Sequence, residues 1–141
     1  MAVNEIIRLI HPLHYSYELN RFKSEAVELS DDGLSVIDSK CCVATSGNIC
    51  SHIDRFYPTN ISGSPPIFLR FRVEEIPAGH SLAQCDSDSG DACHHLVNGL
   101  GKKFGKRLVE RTPLDRYEIC DAGSCRALTI EDIEVQNPRA S

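Results

Sequence analysis

The chain has 141 residues, a formal charge of −5, 41% hydrophobic residues and 25% charged residues. That length fits one domain, and the apolar content supplies a packed core, which excludes a wholly disordered chain. No apolar run in the sequence approaches the ~18 residues of a membrane-spanning helix, so no span is predicted.

Residues 5–10 (Glu-Ile-Ile-Arg-Leu-Ile) are a short β-branched run stopped by His11-Pro12, and they predict a first strand. Leu19, Phe22, Ala26 and Leu29 recur at steps of three and four, which predicts a helix over 17–29. Ser30-Asp31-Asp32-Gly33 is a turn cluster, Leu34 to Ile37 a second strand, and Cys41 to Ala44 a short third one. Ser46 is placed to cap a helix carrying Ile49, Ile53 and Phe56. Residues 58–66 read as a loop. In the strand that follows, Ile67, Leu69, Phe71 and Val73 alternate with Arg70, Arg72 and Glu74, predicting one buried and one wet face.

A polar loop runs to Asp91. Leu96, Leu100, Phe104 and Leu108 at fourth spacing predict a helix over 94–111, weakened by Gly99, Gly101 and Gly105 and ended by Pro113. The glycines could instead permit close approach to a neighbouring element. Residues 117–120 and 126–130 flank Asp121-Ala-Gly-Ser124 as a hairpin. The sum is a single α+β domain over 1–135, with a mixed or antiparallel sheet of about five strands, two or three helices, and a polar tail at 136–141.

Seven cysteines are present: Cys41, Cys42, Cys50, Cys85, Cys93, Cys120 and Cys125. The odd number, and an opening Met-Ala-Val-Asn-Glu without the basic start of a signal peptide, predict a cytoplasmic protein with mostly free thiols. Free cysteines act as small buried hydrophobes. Local pairs leave a zinc reading open: Cys85 and Cys93 with the adjacent His94 and His95, completed by Cys50 and His52, offer soft and imidazole donors. The spacing does not follow a finger or ribbon pattern. Asp86, Asp88 and Asp91 fail as a calcium loop, because Asp91 stands where its glycine is needed and Val97 where its glutamate is.

Residues 99–107 are not a P-loop: five residues separate Gly99 from Gly105, and Arg107 replaces the magnesium-binding hydroxyl. Lys102, Lys103, Lys106, Arg107 and Arg111 against Glu110 nevertheless form a basic stretch suited to an acidic or phosphate-bearing partner, or simply to the wet face of a helix. A further set is less local. Arg8 and His11 at a strand end, Ser35 within a strand and His95 near a helix start are candidates for one cleft, His11 or His95 as base or orienting group and Ser35 as hydrogen-bond donor. No Gly-x-Ser-x-Gly elbow surrounds Ser35, which disfavours a serine hydrolase.

The order Arg8-x-x-His11-Pro12, Ser24-Glu-Ala26-Val27, Leu34-Ser35-Val36 and His95 resembles a group of small bacterial proteins without an assigned activity. There the second block usually ends in phenylalanine rather than Val27. The resemblance implies that His11, Ser35 and His95 outrank the cysteines as the functional core. The chain is also similar, in the order of an early strand-end Arg or His and a later strand serine, to ADP-ribosyltransferase-like domains. That similarity implies a compact α+β fold holding NAD, with Arg8 toward the cofactor and a later glutamate from among Glu74, Glu75 and Glu118. Two functions follow: a binding or accessory protein with a structural zinc, which the scattered polar residues narrowly favour, or a compact nucleotide- or NAD-using enzyme.

Overall fold

The isoleucine-rich run near the start forms β1, Glu5–Ile10, as its β-branched composition predicts. The computed structural model describes residues 3–28, 33–57, 65–85, 90–101 and 103–139. The predicted turn at 30–32, most of the predicted loop 58–66, Asp86, Asp88, Lys102 and residues 140–141 lie outside them. After β1 come β2 (Tyr15–Ser16), β3 (Arg21–Phe22), β4 (Leu34–Asp38), β5 (Ile67–Arg72), β6 (Ser81–Gln84), β7 (His94–Asn98), β8 (Tyr117–Asp121) and β9 (Ser124–Ala127). The helices are α1 (Ser39–Ser46), α2 (Ile49–Phe56), α3 (Phe104–Arg111) and α4 (Ile130–Gln136).

Seven strands form one antiparallel sheet in the order β6-β7-β4-β1-β5-β8-β9, and β2 and β3 form a separate two-stranded ribbon. The fold is therefore α+β, and the described residues hold a seven-stranded sheet where about five strands were predicted and four helices where two or three were. Both Ile6 and Ile7 are fully buried although their side chains point to opposite faces of β1. The sheet thus has core on both sides. On one, Ile6, Val36, Leu69 and Phe71 pack with Phe22, Val27, Leu108 and Ile133. On the other, Ile7, Ile37 and Phe68 meet Ile49, Cys50 and Ile53 of the α2 region. The expected wet face of β5 is accordingly dry at Phe68, because α2 covers it.

Three predicted elements change type. Residues 41–44 are helix rather than strand: Asp38 ends β4 and caps α1 at once, its carboxylate accepting from the Lys40 N–H at 3.1 Å. Asn48, not Ser46, caps α2, accepting from the Ser51 N–H at 2.8 Å. The predicted helix over 17–29 is replaced by the β2–β3 ribbon and a 3-10 turn at Ser24–Val27. The predicted helix over 94–111 begins only at Phe104. Residues 94–98 pair instead with β4 and β6, which satisfies two strands' backbone groups where a helix would satisfy none. The apolar fourth spacing is shared between a strand and a helix that happen to be in phase.

The β8–β9 hairpin is found as predicted, with Ala122 and Gly123 both at positive φ in its two-residue turn. Residues 128–130 leave the strand, and Thr129 and Asp132 form a capping box that starts α4. The predicted loose tail is docked as far as Arg139: the Asn137 amide donates to Pro12 O at 3.1 Å, the Tyr17 hydroxyl donates to Asn137 O, and the Arg139 guanidinium lies over the Tyr17 ring.

The cysteines depart most from expectation. Disulfides join Cys41 to Cys93 and Cys50 to Cys120, fastening α1 and α2 onto the sheet, while Cys42, Cys85 and Cys125 belong to neither bridge. The pairs lie 52 and 70 residues apart in sequence, so local spacing carried no sign of them. Cys42 behaves as the expected buried hydrophobe; burial pushes its thiol up to about 12, which keeps it protonated.

Gly99 is where the chain passes from β7 toward α3. It sits at φ +83°, and a Cβ there would lie 2.6 Å from Gly79 O. Gly101 has open space around it. Gly99→Ala is expected to lower stability by about 2–4 kcal/mol in denaturant unfolding, combining the left-handed backbone penalty with overpacking. Gly101→Ala should change it by less than about 0.5 kcal/mol, as surface substitutions usually do; equal effects at the two sites would contradict the close approach.

Candidate functional site

Backbone pairing between β1 and β4 is limited to Ile6↔Asp38 and Ile7↔Ile37. Beyond Ile7, β1 continues alongside β5 to Ile10, whereas β4 runs back alongside β7 to Leu34. The sheet splits there, and a cavity of about 340 Å³ occupies the opening. Its walls are apolar at Ile7, Leu9, Ile37, Ile53 and Ile67. Its polar groups are Arg8, His11, His14, Ser35, Tyr57 and Gln136.

Arg8 bridges the split. Its Nη1 donates to Ser35 O at 3.1 Å and its Nε to Ala26 O at 3.3 Å. A guanidinium carries five N–H groups, so this leaves donors to spare. Burial lowers its pKa, and no carboxylate among the described residues acts to raise it. His11 and His14 stand next to each other with ring centroids 5.5 Å apart. His11 Nδ1 accepts from the Leu13 N–H at 3.1 Å, capping the short turn that follows β1. Burial, and then the charge of His11, push the His14 pKa down. Two buried atoms of this cleft, His14 Nδ1 and Gln136 Oε1, have no hydrogen-bond partner among the described residues.

Ser35 has a partner that the sequence analysis did not assign. Its Oγ lies 2.5 Å from His94 Nε2, and His94 Nδ1 lies 2.6 Å from Cys85 O. A carbonyl oxygen can only accept, so Nδ1 carries a proton, and in the neutral ring Nε2 accepts from the serine hydroxyl. His95, the predicted member, is excluded by strand geometry. Adjacent residues of β7 face opposite sides of the sheet, and His95 Nδ1 turns instead to Cys93 O at 3.0 Å. The signal that could have found His94 was the strand itself, masked by the helical spacing downstream.

A second polar network lies behind the cleft. Asp91 is fully buried and accepts from His52 Nε2 at 2.8 Å, from the Cys93 N–H at 2.9 Å and from the Tyr57 hydroxyl at 2.5 Å. The other nitrogen of His52 meets Ser46 Oγ at 2.9 Å. This network holds Tyr57 in the cavity wall and ties the ends of α1 and α2 to the approach to β7.

The predicted zinc set of Cys50, His52, Cys85, Cys93 and His94 is not one site. Cys50 groups with Cys120 and Cys125, and His52 with Asp91 and Cys93; within each group the donor atoms lie within 4.8 Å of one another, close enough to hold a metal ion. The second group is already committed, since its carboxylate and imidazole bond each other and the Cys93 sulfur is paired with Cys41. Cys85 and His94 belong to neither group, because the imidazole is directed at Ser35. The basic residues Lys103, Lys106 and Arg107 are exposed at the start of α3, opposite its buried Phe104, Leu108 and Val109, with Lys106 3.9 Å from Glu110.

Removal of the Asp91 carboxylate takes the acceptor from two buried donors, His52 Nε2 and the Cys93 N–H, and from the half-buried Tyr57 hydroxyl. Asp91→Ala is expected to destabilise the protein by about 3–5 kcal/mol in chemical denaturation, the range for breaking a buried network. A loss below about 1 kcal/mol would show that these groups find water instead.

Neither the scan against protein-family models nor the searches among curated proteins and solved structures finds a match for this chain.

Proposed function

We propose that the chain binds a small phosphate-bearing ligand of the nucleotide class in the cleft where β1 and β4 part. The observation that carries this reading is a partly buried Arg8, bonded to two carbonyls but to no carboxylate among the described residues, in the same apolar cavity as two orphaned polar atoms, His14 Nδ1 and Gln136 Oε1. A buried cation without a carboxylate, and buried polar atoms without partners, are unfavourable unless a ligand completes them. The cavity size falls in the range of small-molecule sites, ~300–1,000 Å³. Arginine suits phosphate because its planar fork donates in pairs, and the isoleucine walls suit a flat apolar body. The similarity to ADP-ribosyltransferase-like domains points to the same ligand class. It does not extend to the transfer reaction: none of Glu74, Glu75 and Glu118 lines the cleft, and Glu118 is held by Arg70 at 2.8 Å.

The test is a thermal-shift and calorimetric series with NAD, ADP, AMP, pyrophosphate and adenosine. Phosphate-bearing ligands should raise Tm and adenosine should not. Gln136→Leu should weaken binding about tenfold, equivalent to ~1.4 kcal/mol, and Arg8→Lys should weaken it further by removing the paired donors. If no phosphate-bearing ligand in the series shifts the wild-type protein, this reading is wrong.

A second reading rests on the sulfurs. Cys125 Sγ lies 3.3 Å from Cys50 Sγ, and Cys125 faces Cys120 across the β8–β9 ladder. In a reducing cytoplasm, where we propose the chain resides, Cys50 and Cys120 open to thiols and the three sulfurs form a zinc-binding set with one position free. Protein purified under reductant should then carry about one zinc per chain by elemental analysis. Cys125→Ser should lose the metal while the oxidised protein stays folded. Metal-free reduced protein would refute the zinc reading.

A further inference from the structure

We infer that Ser35 is a nucleophile activated by His94, and that the cleft cleaves small carboxylic esters bearing an anionic group. The inference rests on the proposed ligand cleft, since Ser35 lines the same cavity as Arg8. Three features carry it. The Ser35 hydroxyl is within hydrogen-bond reach of His94 Nε2. His94 is buried, and its far nitrogen is fixed by Cys85 O, so the ring presents its basic nitrogen to the serine. This is the arrangement of nucleophile, base and orienting acceptor that serine acyl transfer requires, with a backbone carbonyl in the third position. Finally, Arg8 Nη1 lies 3.1 Å from the Ser35 carbonyl, so a fixed positive charge stands beside the residue where an anion would be held.

The Gly-x-Ser-x-Gly elbow missing from the sequence serves to expose a serine at a tight strand-to-helix turn. Here the split in the sheet does that work. β4 has lost β1 as a hydrogen-bonding neighbour by Ser35, so the cavity reaches the serine from the open side.

The step is balanced by groups named here and by water. Ser35 Oγ forms a bond to the ester carbonyl carbon while its proton passes to His94 Nε2. The carbon–oxygen bond to the alcohol then breaks, and His94 returns that proton to the departing oxygen. Water, deprotonated by the same nitrogen, attacks the acyl-serine carbonyl; the bond from that carbon to Ser35 Oγ breaks, His94 passes the proton to Oγ, and the acid leaves with Ser35 restored.

The probe is a fluorophosphonate, which labels activated serines whatever the natural ester. Incubation of the full chain should give one adduct per molecule, mapped to Ser35 by peptide mass spectrometry. Ser35→Ala should abolish labelling, and His94→Gln, which keeps a polar group but no base, should slow it at least a hundredfold. Mono-anionic nitrophenyl esters should be hydrolysed faster than nitrophenyl acetate, with the preference lost in Arg8→Gln. No adduct at Ser35 on folded wild-type protein overturns the inference, however the variants fold. If nucleotides still shift the melting temperature of that unlabelled protein, the nucleophile fails and the binding cleft stands. If neither is seen, both fail together.

Discussion

Everything distinctive in this molecule follows from the early parting of β1 and β4. A continuous antiparallel ladder would satisfy the backbone of both strands and leave no room between them. Here only two residue pairs are made before the strands follow different neighbours, β1 toward β5 and β4 toward β7. The exposed carbonyl of Ser35 must then find another donor, and Arg8 supplies it while also reaching Ala26. One side chain thereby closes the backbone account of the split and places a cation in an apolar cavity. That double role ties the fold directly to the cleft chemistry.

The rest of the architecture keeps the split open and rigid. The two sheet faces have separate cores, so the cleft is walled by isoleucines belonging to both. On one side, α1 and α2 are fastened by the disulfides and by the buried Asp91 network, which fixes Tyr57 in the wall. On the other, the docked C-terminal segment brings Gln136 into the cavity, anchored by Asn137 on the turn that follows β1. Elements from both ends of the chain and from its middle meet at one opening. Such a site is defined by convergence rather than by any local motif.

The cysteines illustrate how chemistry can be latent in a fold. Four are paired, one is a protonated core residue, and Cys125 sits beside an existing bridge. Two structural outcomes for the same sulfurs, disulfide or thiolate, depend on the redox surroundings. None of the residues lining the cleft is a cysteine: its polar groups are carried by β1 and the turn after it, by β4, by the end of α2 and by α4.

Local patterns in the sequence were sufficient for β1, β4, β5, the β8–β9 hairpin and the α+β class, because each is signalled by β-branched alternation or turn chemistry within a few residues. They also marked Arg8, His11 and Ser35, which line one cavity. They misassigned residues 94–98, since an apolar step of four is compatible with helix until strand partners on both sides compete for the backbone. From that single change came the exchange of His95 for His94, as a strand turns neighbouring side chains to opposite faces. His14, Gln136, the Asp91 network and the two disulfides had no local signature at all. Their partners lie far along the chain, and only folding sets the distances between them.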